Sequence, residues 1–128
     1  MRVLVVDDEP LVRRSLSRAL ASRGHEVRDA EDGPSGLEAW LAWRPDAVLI
    51  DVLMPGLSGP DVIRAALETK VESRPIMILM SAFTGEESVQ AAMTCGADDF
   101  LAKPFPDIFE VVAKLEKLQQ QRSTSGGQ

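Results

Sequence analysis

Short aliphatic runs alternate along this chain with segments in which apolar residues recur every three or four positions. The runs contain no polar residue, which is typical of strands that are covered on both faces of a parallel sheet. The intervening segments have helical spacing, and glycine or proline follows the first two of them. The pattern predicts strands at residues 3–6, 47–50 and 76–80, with weaker strands at 26–29 and 98–101.

Five strands that alternate with five helices predict an α/β domain. The connections are short, so each strand-helix-strand crossover is expected to be right-handed, with helices on both faces of the sheet. We therefore predict a doubly wound (βα)5 sandwich of the flavodoxin-like type, with a five-stranded parallel sheet in the order 2-1-3-4-5. Residues 1–121 are expected to form this domain, and the polar, glycine-rich residues 122–128 a flexible tail or linker stub.

Composition excludes several classes of function. The chain of 128 residues carries a formal net charge of −6, which disfavours a surface that follows nucleic-acid phosphates. The single cysteine, Cys95, cannot form an internal disulfide and suits a reducing compartment. The apolar run after Met1 is too short for a signal peptide or a membrane span. We expect a cytoplasmic protein that binds neither membranes nor nucleic acid directly.

Charged and polar side chains fall where the predicted strands end. In a doubly wound sheet, ligands bind beyond the carboxyl ends of the strands. Two carboxylates ~4 Å apart repel each other by about 4 kcal/mol at an effective dielectric constant near 20, so clustered acids take up protons or hold a cation. Oxygen ligands with open water positions suit Mg²⁺. The side chains at these strand ends are Asp7, Asp8, Glu9, Asp51, Ser81 and Lys103.

Four motifs follow one another at these strand ends: VLVVDDEP, VLIDVLMPGLSG, ILMSA and FLAKPF. In this order and at these spacings they resemble the receiver domain of two-component response regulators, over essentially the whole chain up to the tail. The resemblance implies a phosphoacceptor switch that depends on Mg²⁺, for which Mn²⁺ can substitute. Its phosphodonor would be a sensor histidine kinase or a phosphotransfer protein, and the face made by helix four, strand five and helix five would signal to a downstream effector.

The resemblance also assigns the acidic residues. Asp51 would be the phosphoacceptor, and it would share the metal ion with Asp8 as a direct ligand and with Asp7 through water. Leu53 would add its backbone carbonyl to the metal. The protein would catalyse only its own phosphorylation and dephosphorylation, as a monomer or as a phosphorylation-dependent dimer.

The remaining assignments concern the phosphoryl group and the switch. Ser81 would donate a hydrogen bond to one phosphoryl oxygen, Lys103 would pair with another, and the backbone N–H of Ala82 would be within reach. Ser81 and Phe100 would be the switch residues. The Lys103–Pro104 peptide bond would be cis, which is a minority state for X–Pro bonds in general.

Other interpretations compete with this one. A phosphatase of the haloacid-dehalogenase type also uses an aspartate nucleophile with Mg²⁺, but it typically has a second aspartate where this chain has Leu53, and its acidic pair follows the nucleophile. A phosphorylation-independent docking module remains the alternative, although such proteins usually lack one of Asp8, Asp51 or Lys103. Asp8 or Glu9 could also simply cap the helix that Pro10 begins.

Two further residue types are expected to be structural. Trp40 and Trp43 lie at helical spacing and are interpreted as packing residues, one buried and one partly exposed. His25 lies between a helix and a strand, away from the predicted site, and is given no catalytic role.

Overall fold

The computed structural model describes residues 1–69 and 74–126, and strands alternate with helices throughout. Each strand ends at a loop that leads into the next helix. The strands are β1 (Arg2–Val6), β2 (Glu26–Ala30), β3 (Ala47–Asp51), β4 (Ile76–Ser81) and β5 (Asp99–Ala102). The helices are α1 (Pro10–Ser22), α2 (Gly33–Trp43), α3 (Gly59–Glu68), α4 (Glu86–Met93) and α5 (Ile108–Gly126).

The strands form a parallel five-stranded sheet in the order β2-β1-β3-β4-β5, which confirms the predicted fold. Val6 of β1 pairs with Ile50 of β3, and Asp51 pairs with Met80 of β4. This register brings the carboxyl ends of the three central strands to one edge of the sheet.

Helices cover both faces of the sheet, as the uninterrupted aliphatic runs predict. Because successive side chains of a strand point to opposite faces, Val3 and Val5 enter one core cluster while Leu4 and Val6 enter the other. Helices α1 and α5 pack on the Val3 side, and helices α2, α3 and α4 pack on the Leu4 side. Both faces of the central strands are covered by apolar side chains, so the polar side chains lie where these strands end, at one edge of the sheet.

The structure differs from the sequence pattern in a few places. Strand β5 lies one residue later than predicted, at Asp99–Ala102. Trp40 and Trp43 are both buried, whereas one of the two was expected to be partly exposed; the guanidinium carbons of Arg2 and Arg28 lie 5.7 and 4.9 Å from the centre of the Trp43 ring. Helix α5 continues past residue 122. Residues 122–126 are therefore helical. The division into a domain of 1–121 and a tail of 122–128 stays a prediction.

Within residues 1–69 and 74–126, no helix has both the length and the apolar character that a membrane span requires.

Candidate functional site

Asp7 is the first residue after β1 and is fully buried. Its backbone N–H donates to the carbonyl of Ala30 at 3.1 Å, which continues the pairing of β1 with β2. One carboxylate oxygen, Oδ1, accepts a hydrogen bond from the backbone N–H of Glu9 at 2.9 Å. The other oxygen, Oδ2, points towards Lys103. Local backbone contacts therefore fix this carboxylate at the edge of the sheet.

Asp51 ends β3 and is 6% exposed. Its backbone carbonyl lies against Gly59, the first residue of α3. A Cβ atom on Gly59 would be 2.3 Å from that carbonyl oxygen, so only glycine permits this approach of the helix to the strand. The main chain of Asp51 is thus held between β4 and the start of α3, and its carboxylate is left to face the other strand ends.

Lys103 joins three strand ends through its ammonium group. Its Nζ lies 2.7 Å from Asp7 Oδ2, 3.0 Å from Glu9 Oε1 and 3.2 Å from Asp51 Oδ2. The contacts with Glu9 and Asp51 are hydrogen bonds, whereas Asp7 Oδ2 is a close ion-pair partner that lacks hydrogen-bond geometry. The lysine side chain is 6% exposed, so these charges interact away from bulk water.

The burial of these groups changes their acid–base properties. Desolvation raises the pKa of Asp51 to about 6; the positive charge of Lys103 opposes this shift, and the negative charges of Asp7 and Asp8 add to it. Burial alone would lower the pKa of Lys103, but the carboxylates of Asp7, Glu9 and Asp51 outweigh it, and that pKa lies above its ordinary value. At neutral pH the site therefore combines a fixed cation with a carboxylate that is poorly stabilised by solvent.

The acidic residues fit a hard divalent cation. Asp7, Asp8, Glu9 and Asp51 each offer an oxygen atom, and these atoms all lie within 4.8 Å of one another. Asp7 and Asp51 are buried, while Asp8 and Glu9 are exposed. The Asp7 Oδ2 atom is buried, with the Lys103 ammonium as its close ion-pair partner. An all-oxygen cluster with a solvent-exposed side is the donor set that Mg²⁺ prefers.

Ser81 ends β4 beside Asp51 and is 2% exposed. Its hydroxyl oxygen accepts a hydrogen bond from the backbone N–H of Phe83 at 3.0 Å. Its carbonyl accepts one from the backbone N–H of Lys103 at 2.8 Å, which extends the pairing of β4 with β5 to the lysine. Ala82 follows and is exposed. The peptide bond between Lys103 and Pro104 is cis.

The predicted switch residues border a small pocket next to Ser81. This pocket has a volume of about 260 Å³, and its lining includes Leu53, Ser81, Phe83 and Phe100. Phe100 is partly buried and packs against the core beneath α4. Leu53 and Phe83 are 54% and 63% exposed. The pocket joins the end of β4 to the surface of α4 and β5.

The structure thus brings together Asp7, Asp8, Asp51, Ser81 and Lys103, the residues predicted for one edge of the sheet. Sequence reasoning placed Glu9 at a strand end but did not predict its contact with Lys103. Glu9 occupies the position before α1, but its side chain makes no capping hydrogen bond and instead pairs with Lys103. His25 lies elsewhere, where its Nε2 is 2.9 Å from Glu116 on α5.

Comparison with known sequences adds a family to this geometry. The sequence matches the response regulator receiver domain over residues 3–116. The response regulator MprA of Mycolicibacterium vanbaalenii is 39% identical over 127 residues, which are 99% of this chain and 54% of that protein. MprA of Mycobacterium avium is 42% identical over 118 residues, 92% of this chain and 50% of that protein. The chain spans about half the length of the curated relatives it matches.

Solved structures agree with the fold. The signal receiver domain of the putative response regulator NarL from Mycobacterium tuberculosis is 36% identical, with a TM-score of 0.76, and the match covers 91% of this chain and 95% of that one. A chain of the CheX-CheY-BeF3-Mg²⁺ complex from Borrelia burgdorferi is 26% identical, with a TM-score of 0.82, and the match covers 92% and 88%.

Proposed function

The chain belongs to the response regulator receiver domains, which are signalling modules of two-component systems, and we propose that it is an Mg²⁺-dependent phosphoacceptor switch phosphorylated on Asp51. One observation carries the proposal: the buried carboxylates of Asp7 and Asp51 meet the ammonium of Lys103 at 2.7 and 3.2 Å, at the carboxyl edge of a parallel sheet. The family implies a phosphodonor histidine kinase and a downstream effector.

Asp51 is suited to act as the nucleophile. With a pKa of about 6 its carboxylate is largely ionised at neutral pH, and its burial removes most of the water that would otherwise stabilise the charge. In the proposed step, a carboxylate oxygen of Asp51 forms a bond to phosphorus while the P–N bond of a phosphohistidine breaks. The departing imidazole keeps the electron pair and takes up a proton. The product is an aspartyl phosphate.

The acidic cluster would hold the cation that this step requires. Asp8 and Asp51 would bind Mg²⁺ directly, Asp7 through water, and Leu53 through its backbone carbonyl; Mn²⁺ could take the same place. When bound, the cation offsets the negative charge of the nucleophile and of the incoming phosphoryl group. The Borrelia complex contains both BeF3 and Mg²⁺, and the oxygen cluster of this chain supports the same requirement here.

Lys103, Ser81 and Ala82 would hold the phosphoryl oxygens. The Lys103 ammonium already lies beside the Asp51 carboxylate, so it can follow the charge as that charge moves to the phosphoryl group. The Ser81 hydroxyl and the exposed backbone of Ala82 lie at the end of the neighbouring strand. These donors would act on charge that develops during transfer.

Phosphorylation would be read out through Ser81 and Phe100. An added charge of nearly −2 can draw the Ser81 hydroxyl towards Asp51, which would open room for the Phe100 ring in the pocket that both residues border. The face of α4, β5 and α5 would then present a changed surface to an effector. We propose that residues 1–121 suffice for this in the cytoplasm, without direct nucleic-acid contact, as a monomer or a phosphorylation-dependent dimer.

Incubation with Mg²⁺ and acetyl phosphate, followed by intact-protein mass spectrometry, tests the proposal. The wild-type protein is expected to gain one phosphoryl group, and Asp51→Asn is expected to gain none. Asp61→Asn, an exposed aspartate on α3, is the matched control and should behave as the wild type does. Undiminished phosphorylation of Asp51→Asn would contradict the assignment. Failure of the wild-type protein with every phosphodonor would favour a phosphorylation-independent docking module.

A further inference from the structure

A second polar pocket lies at the opposite end of the sheet from Asp51. It has a volume of about 390 Å³ and is placed beside the amino ends of β1, β3 and β4. Its charged lining residues come from four separate parts of the fold: the start of β1, the α2–β3 loop, the segment before β4, and α5. They are Arg2, Arg44, Asp46, Arg74 and Arg122.

The pocket concentrates positive charge in an acidic protein. The chain has a formal net charge of −6, with 20 acidic residues against 14 lysines and arginines. Four arginines nevertheless line this one pocket, together with a single carboxylate, that of Asp46. Asp46 Oδ2 accepts a hydrogen bond from the backbone N–H of Arg2 at 2.7 Å, so its hydrogen-bond partner is an uncharged group and not a guanidinium. The lining therefore carries an excess of positive charge.

Backbone carbonyls hold two of the guanidinium groups in place. Arg2 Nη2 donates to the carbonyl of Arg44, and Arg122 Nη1 donates to the carbonyl of Arg74, each at 2.6 Å. These acceptors are uncharged, so they orient the guanidinium groups without neutralising them. Each guanidinium has five N–H donors in a fixed plane, and these contacts use a minority of them.

Nearby acids offset this charge only in part. Asp98 is the acidic neighbour of Arg74 and Arg122, at 3.8 and 3.6 Å. Its Oδ2 also accepts a hydrogen bond from the backbone N–H of Met77 at 2.8 Å, so one carboxylate is divided among three partners. Arg44, which ends α2 with a left-handed φ of 54°, forms no side-chain hydrogen bond or ion pair with any residue in 1–69 or 74–126.

We propose that this pocket binds a small multivalent anion of the phosphate class, such as a diphosphate group. Guanidinium groups match phosphate oxygens in geometry and charge, and fixed guanidinium groups lose little entropy on binding. A concave site of this volume suits a small ligand. A nucleic acid is disfavoured, because the chain as a whole carries a formal net charge of −6. This site is independent of the phosphoacceptor function, since it involves none of the residues at the carboxyl edge.

Isothermal titration calorimetry with sodium pyrophosphate, in EDTA and at low salt, tests the proposal. The wild-type protein is expected to bind one pyrophosphate, and orthophosphate more weakly. Arg44→Gln with Arg122→Gln is expected to raise the Kd roughly tenfold or more, because two charge-assisted contacts are lost. Arg14→Gln with Arg18→Gln changes the net charge equally on exposed positions of α1. That matched control should change the Kd less than about twofold.

Several results would overturn the site. Absence of binding up to about millimolar pyrophosphate would contradict the site. Equal weakening of binding in both double variants would show that only a diffuse electrostatic effect is present. Loss of binding in Lys103→Gln would place the anion at the carboxyl edge instead. Tighter binding of duplex DNA than of pyrophosphate would favour a nucleic acid as the ligand. If the double variant fails to fold, Arg44→Gln against Arg14→Gln makes the same comparison, because the Arg44 side chain has no structural contact to lose.

A final arm separates two sources of the anion. If ADP binds more tightly than pyrophosphate in EDTA, the site recognises the diphosphate of a nucleotide. If the two bind equally, it recognises the diphosphate alone. Either result supports the pocket, whereas exclusion of both would contradict it.

Discussion

Replacing Asp51 with Asn is expected to stabilise the protein in the absence of divalent metal at neutral pH. The substitution preserves the size of the side chain and leaves an amide oxygen that can still accept from Lys103. It removes a negative charge that desolvation makes costly, because Asp51 is 6% exposed and lies beside two other acids. The residue that carries the function is thus expected to destabilise the fold.

The pKa of Asp51 gives the magnitude. Burial raises it from 3.8 to about 6 in the folded protein. Each pKa unit corresponds to about 1.4 kcal/mol of preference for the protonated form, so the ionised carboxylate costs up to about 3 kcal/mol of folding free energy above pH 6. Asn is expected to recover about 1–3 kcal/mol of it, since the amide gives up part of the attraction to Lys103.

Urea unfolding in EDTA, followed by circular dichroism at several pH values, measures this effect. Below pH ~4 the carboxyl is protonated in the folded and unfolded states, and it contributes nothing to the pH dependence. Above the folded-state pKa of about 6 it is ionised in both, and the folded state bears the full cost. The stability advantage of Asp51→Asn should therefore be largest at pH 7 and shrink steadily as the pH falls from 6 towards 4.

Magnesium should offset this difference in stability. A ligand that binds only the folded state, present at a concentration of a hundred times its Kd, adds about 2.7 kcal/mol of stability. Mg²⁺ should stabilise the wild-type protein more than the variant. An Asn variant that is less stable than the wild type in EDTA at pH 7 would refute the reasoning. A stability difference that stays constant between pH 7 and 4.5 would refute it equally.

Three further predictions concern residues around the same site. Lys103→Gln should bind Mg²⁺ at least as tightly as the wild type by calorimetry, because the ammonium that competes for the carboxylates is gone, yet it should be phosphorylated more slowly; a tenfold loss of Mg²⁺ affinity would contradict this. The aspartyl phosphate should persist for about minutes to hours, because the apolar side chains of Leu53 and Phe83 line the pocket beside Ser81 and cannot orient an attacking water by hydrogen bonds, and Leu53→Asn with Phe83→Glu should shorten its lifetime in a radiolabel decay assay; an unchanged lifetime would show that these positions do not control the water. Gly59→Ala should cost about 2 kcal/mol or more in urea unfolding and reduce phosphorylation, because its Cβ would lie 2.3 Å from the carbonyl oxygen of Asp51; wild-type behaviour of both would disprove the close packing.

The sequence predicted the sheet because its strands are buried on both faces. Runs such as residues 47–50 are not interrupted by a polar residue, so the strand can be located without ambiguity. The polar residue that follows each run marks the end of the strand. Strand β5 was placed one residue early because none of its residues is fully buried and its apolar pattern is weak. The burial of both tryptophans was not predicted, because the two arginines that cover the Trp43 ring lie on β1 and β2.

Some contacts between distant residues were beyond sequence reasoning. The strand ends indicated which side chains would meet, but the contact of Lys103 with Glu9 depends on how the loop after β5 lies over the start of α1. The arginine pocket had no sequence signal at all. Its four arginines are scattered from residue 2 to residue 122, and only the fold brings them together.

The edge strand β2 differs from the other four in how it contributes to the carboxyl edge. Its link to that edge is a main-chain one, in which the carbonyl of Ala30 accepts from the backbone N–H of Asp7 at 3.1 Å. Every residue, proline included, has such a carbonyl, and Glu26 and Asp29 on the same strand are exposed. Sequence drift should therefore be freer along β2 than along β1 or β3, where each change of side chain reaches the core or the carboxylates. An exposed position of this strand, such as Glu26, is accordingly a suitable place to attach a reporter dye without disturbing the chemistry.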